Sequence, residues 1–232
     1  MSVPLPREPD GPEPTDLQRK LAGLSAPGPL TAWARPFADL SACWNACPSP
    51  EHLLWLAARL SATAEDRCAV VSCLAELAGR SARGRRKADA SVERAVSLAG
   101  TWARTGASPD DLLAAERAAR DTAAWAAFVA ADESARARML FRAAPRGRPA
   151  SFGTSRALGA LAQWREADRT RRLALAAACA ARAAAQAAKA DDGWPASAAE
   201  SAAHACGGGD DRAARKTARL IRRRLPCPVL LG

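Results

Sequence analysis

Residues 92–131 read VERAVSLAGTWARTGASPDDLLAAERAARDTAAWAAFVAA, and this stretch decides the fold class. Val92, Ala95, Val96, Ala99, Trp102 and Ala103 recur at i, i+3, i+4, i+7, i+10 and i+11, the spacing of one helix face. Gly106 ends that helix, and Ser108-Pro109-Asp110-Asp111 opens another through about Ala131: a capping hydroxyl, a proline at the first helical position, then acids. So short a connection makes the two helices an antiparallel hairpin.

The punctuation recurs on both sides. Upstream, one segment is expected from Thr31 to about Ala46. Ser49-Pro50-Glu51 opens a second, carrying Leu53, Leu56, Ala57 and Leu60 on one stripe. Thr63-Ala64-Glu65-Asp66 opens a third, which Gly79 should stop. Downstream, Asp132-Glu133 reads as the start of a shorter helix to about Ala144, followed by a loop at 145–153 that could divide the chain. Helix is expected again from about Thr154 through an Ala-rich stretch to about Ala190, after Trp194-Pro195, and from Asp211 to Leu225.

Composition agrees. The 232 residues include 61 Ala, one Ile (Ile221), 7 Val and no Tyr. Alanine is the best helix former, and β-branched and aromatic side chains fill sheets, so strands are not expected. We read the chain as an all-α array of roughly eight to ten antiparallel helices, either an α-superhelix or an irregular bundle. Residues 17–232 form its single domain, and the Pro-rich residues 1–16 form a disordered tail. Alanine methyls contribute little burial energy, so Trp33, Trp44, Trp55, Trp102, Trp125 and Trp164 are the expected anchors, with Leu between them.

The residues argue against chemistry. Acid doublets at 65–66, 110–111, 132–133 and 210–211 fall at expected helix starts, where carboxylates cap N–H groups and offset the dipole. Asp191-Asp192 precedes another. There are two His, no G-x-S-x-G and no H-E-x-x-H, and Gly207-Gly208-Gly209 lacks the Lys-Ser/Thr of a phosphate loop. The seven Cys show no paired zinc arms; they are expected as reduced, buried thiols, with no metal and no cofactor. An enzyme is not expected. Neither an export signal nor a membrane span is evident, so the expected compartment is the cytoplasm.

The net charge is +10, from 30 Arg and 4 Lys against 24 acids, and it invites an acidic partner. On the last helix Arg212, Arg215, Lys216, Arg219, Arg222 and Arg223 oppose Ala214, Thr217, Ala218, Ile221 and Leu225. The candidate partner-binding residues are Arg215, Arg219, Arg222 and Arg223. The stripe suits a protein or a phosphate backbone, although no aromatic side chain accompanies it for base stacking. The other basic segment is 80–87.

The run from Trp102 through Gly106 and Ser108-Pro109-Asp110-Asp111 into the Ala/Arg-rich helix resembles the hairpin of a family of bacterial immunity proteins. Cys43-Trp44-Asn45-Ala46-Cys47 with Leu53-Leu54-Trp55-Leu56-Ala57 is similar to its opening helices. The resemblance spans roughly 35–130. It implies a small cytoplasmic protein that neutralises a cognate toxin by binding it. The family's later Ala repeats carry His, whereas residues 173–190 carry none, so no site residue is transferred. The alternatives are a nucleic-acid-associated protein using 80–87 and 212–224, or a structural adaptor in a larger complex.

Overall fold

A computed structural model describes residues 14–82, 89–143, 152–206 and 211–228. Among them the chain is all-helical: α1 (Asp16–Gly23), α2 (Gly28–Ala34), α3 (Leu40–Ala46), α4 (Pro50–Arg59), α5 (Ala64–Ala82), α6 (Ala90–Thr105), α7 (Pro109–Ala143), α8 (Phe152–Ala188), α9 (Trp194–Ala205) and α10 (Asp211–Arg224). The expected loop at 145–153 lies outside the described residues except Phe152 and Gly153, which begin α8.

Local chemistry sets most boundaries. The Ser49 hydroxyl accepts from the His52 N–H at 3.2 Å and starts α4. Thr63 and Asp66 cap α5 reciprocally: the Asp66 N–H donates to the Thr63 hydroxyl at 3.1 Å, and the Thr63 N–H to the Asp66 carboxylate at 3.0 Å. Gly106 closes α6 at φ 76°, a left-handed conformation that a Cβ would resist.

Four expectations need correction. The tail was drawn through residue 16, but Thr15 caps α1 in a reciprocal box with Gln18, so helix begins at Asp16; residues 1–13 lie outside the described set. The single segment 31–46 is two helices, because Pro36 cannot donate to the ladder and Asp39 caps α3 from Ala42 at 2.8 Å. Gly79 does not end α5, which runs on to Ala82. Asp132-Glu133 starts nothing, since α7 is continuous for 35 residues. No Gly or Pro interrupts it after Pro109, and Glu133 instead pairs with Arg136 at 3.7 Å. Once oriented to donate, the Gln163 amide of α8 also reaches Glu133, at 2.9 Å.

Two hydrophobic clusters hold the array. The larger gathers α1–α5, α9, α10 and the C-terminal part of α8, with Ala99 of α6 and Leu112 of α7, around Leu21, Leu30, Trp44, Leu53, Leu54, Leu56 and Leu74. The second wedges Val92 and Ala95 of α6 against Ala115, Ala119 and Ala123 of α7 and Leu173 to Ala181 of α8. Beyond them α7 and α8 continue as an antiparallel pair, whose seam buries Ala126, Ala130 and Ala137 against Ala157 and Ala160. These positions are three, four and seven apart, a coiled-coil register with methyls for knobs, which lets the axes come near the low end of the ~8–10 Å range.

The tryptophans divide accordingly. Trp44 and Trp55 are buried, as is Trp194, which was not among the expected anchors. Trp33, Trp102 and Trp164 are half-buried. Trp125, expected in the core, is 67% exposed. It lies on the side of α7 away from α8, where no described helix covers it.

Candidate basic groove and the exposed stripe of α7

Helix α10 docks through Ala218 and Ile221, with Leu225 just beyond its end, against α4 and α5. Two arginines fasten it. Arg224 reaches back to Glu76 of α5, Nε to Oε2 at 2.9 Å. Burial alone would raise the Glu76 carboxyl, but hydrogen bonds from Arg224 and Arg80 hold it below its ordinary value. Arg222 donates from Nη1 to the Cys47 carbonyl at 2.6 Å and the Trp44 carbonyl at 3.4 Å. Those carbonyls end α3, so the guanidinium supplies bonds its last turn lacks and meets the negative end of its dipole.

This latch leaves a groove of about 540 Å³ between α10 and the α3–α4 connection, lined by Cys47, Pro48 and Ser49 on one side and Arg215, Arg219 and Arg222 on the other. Arg215 and Arg219 are exposed, and among the described residues neither forms an ion pair. A second hollow, of about 910 Å³ over the start of α10, shares them with Lys216. Three of the four sequence candidates therefore meet at one groove, in different roles: Arg215 and Arg219 are available to a ligand, while Arg222 is committed to the fold. Arg223 is exposed but lines neither hollow. Of the basic segment 80–87, Arg80 pairs with Glu76 at 2.6 Å, and residues 83–87 lie outside the described set.

The remaining polar clusters are structural in their contacts. Buried Glu116 of α7 receives Arg120 of the same helix and Arg182 of α8, the latter at 3.0 Å. The hydrogen bond to Glu116 raises the Arg120 pKa further. On α8 and α9 a Cys, a Glu and a His approach one another, with Cys179 Sγ donating to Glu200 at 3.6 Å and His204 one turn further on. Burial pushes that thiol up to about 12 and lowers His204, so both stay neutral near pH 7. Cys43 rises to about 11 and Cys73 to about 12 for the same reason. Protonated thiols are poor nucleophiles and poor metal ligands. Among the described residues no group of three or more His, Cys, Asp or Glu is placed to hold a metal ion, and no helix is long and apolar enough to cross a membrane.

A feature that the sequence reading missed is an apolar stripe on the outer face of α7. Trp125, Phe128 and Met139 are 67%, 65% and 65% exposed, and the Trp125 and Phe128 rings stack with centroids 5.6 Å apart. Its signal was present: 121, 125, 128, 132, 135 and 139 also step by three and four, but on the side opposite the alanine seam. No protein-family model, curated protein or solved structure matches this chain.

Proposed function

We propose that this protein works by binding rather than by catalysis, holding an acidic segment of a protein partner in the groove beside α10. The observation that carries it is the pair Arg215 and Arg219, exposed and without ion pairs among the described residues, set one turn apart over a groove whose far wall is fixed by Arg222. A guanidinium matches a carboxylate bidentately, and two at this spacing suit successive acidic side chains. The neutral, buried thiols favour binding over nucleophilic chemistry. The resemblance of residues 35–130 to bacterial immunity proteins points to a toxin as the partner.

Co-expression with the product of the adjacent gene tests this. The neighbour should be toxic alone, be neutralised by this protein, and lose that protection when Arg215→Glu and Arg219→Glu are combined. A neighbour harmless to cells lacking this protein ends the immunity reading. Stable co-purification with a non-toxic partner would instead make the chain a structural adaptor.

One observation favours a second reading: Lys216 and Arg223 extend the row along the exposed side of α10, as a phosphate backbone would need. Titration against DNA and RNA at rising salt separates the two, since phosphate binding weakens steeply with salt. Absence of salt-dependent binding eliminates nucleic acid.

A further inference from the structure

We infer that the outer face of α7 is a self-association surface, on which a second copy of this chain packs antiparallel across a two-fold axis between Ala131 and Asp132. The inference is independent of the groove beside α10 and shares no residue with it.

The face needs an occupant. Isolated exposed apolar side chains are ordinary, but Trp125 and Phe128 form one stacked pair and Met139 lies on the same face beyond Asp132 and Ala135, each about two-thirds exposed. No described helix of their own chain covers them, since α7 meets α8 through the opposite, alanine-lined side. The two rings are already stacked on each other, so they would meet a partner as one ordered surface.

The pattern along the helix identifies the occupant. An axis between 131 and 132 brings to one level residues whose numbers sum to 263, and three such pairs on this face are complementary. Phe128 meets Ala135 of the other copy, and Met139 meets Ala124, so each large side chain falls on a methyl. Asp121 meets Arg142, while Trp125 and Arg138 stand about 140° apart round the helix and line opposite edges of the contact. Among the described residues Asp121, Arg138 and Arg142 form no ion pair within the chain. At the axis the two copies of Asp132 come within one residue's rise of each other beside Ala131, the like-charge contact of the face. All ten positions are exposed in the single chain. An isologous contact requires this self-complementarity; a surface built for an unrelated protein has no reason to show it.

Size and placement permit the pairing. The three apolar side chains offer roughly 400 Å², about half of the ~800 Å² per partner of a standard interface, and alanines and Arg stems between 121 and 142 can supply the rest. The axis lies in the far half of α7, where α8 alone accompanies it among the described residues, so the two bodies fall at opposite ends of the paired hairpins.

Sedimentation equilibrium on the full chain should give twice the chain mass at about 100 μM, with the dimer weakening as salt rises. Trp125→Ala with Phe128→Ala should yield a monomer whose helical circular dichroism is unchanged. Asp121→Arg alone and Arg142→Asp alone should each raise the dissociation constant by about tenfold or more, and the two combined should return it to within about threefold of the original. A wild-type chain that is monomeric at that concentration overturns the proposal, whether or not the stripe binds lipid vesicles or another protein. So does a dimer that survives loss of both rings, or charge reversals that fail to compensate, because the register is then wrong.

Discussion

The body around Trp44 and the far half of the α7–α8 hairpin are both helix packed on helix, yet different side chains hold them. In the body, large residues at irregular spacing fill a three-dimensional core: Trp44, Leu53, Leu54, Leu56 and Leu74 are almost wholly inaccessible. In the far hairpin the fully buried layer is one methyl thick, and Trp125, Phe128 and Met139 face outward. Helix propensity is similar in both, so it does not explain the difference. What differs is how much apolar volume each helix has to bury and how many neighbours share it. One seam between two helices is filled by alanine, whereas a core that all ten described helices enter requires tryptophan and leucine.

The widest separation between the regions should come from tryptophan itself. Trp44→Ala should cost about 3–5 kcal/mol in chemical denaturation, because it empties a fully buried site. Trp125→Ala, measured in the monomeric state, should change stability by no more than about 0.5 kcal/mol. Equal losses would end the distinction. The reverse substitution inverts the order: Ala130→Leu should destabilise by about 1–3 kcal/mol, because a seam fitted to methyls has no room for an isobutyl group. Hydrogen exchange should show that loss confined to the hairpin, as faster opening of amides near 126–142 while the body stays protected.

A smaller contrast lies within α10. Arg222→Ala should cost about 1–2 kcal/mol by removing the bonds to the ends of α3, whereas Arg223→Ala should be neutral within about 0.5 kcal/mol. If the two cost the same, Arg222 is no latch. The mildest test concerns the thiols. At pH 8 a thiol reagent should label the partly exposed Cys68, Cys206 and Cys227 and spare Cys43, Cys73 and Cys179 until the protein unfolds. The pH dependence has a definite sign. Cys73 and Cys179 sit at about 12 when folded against an ordinary 9.0, so the unfolded chain releases their protons first. Their contribution is complete below about pH 9 and is lost as pH rises from there towards about 12.

Much of the fold was legible because capping is local. Ser49, Thr63 and Ser108 each accept a hydrogen bond from a backbone N–H two or three residues on, so a few letters suffice to place a helix start. The same logic failed at Asp132-Glu133. An acidic pair suits a helix start, yet it also sits mid-helix when nothing breaks the ladder and Gln163 of a distant segment reaches it. The groove was half legible. Periodicity put Arg215, Arg219, Arg222 and Arg223 on one side of α10, but it could not tell which of them another helix would claim. That depended on the end of α3 lying beside Arg222, 175 positions from its acceptor at Cys47.

By itself, then, the order of residues determined that this chain is helical and where most of its helices begin, because propensity, periodicity and capping act over one or two turns. Only the packed molecule decided which face of each helix turns inward. A helix such as α7 carries two stripes at the same three-and-four spacing, one of methyls and one with stacked rings. The choice between them was made by the shape of α8 opposite, where closely set alanines accept only other alanines and turn Trp125 and Phe128 away.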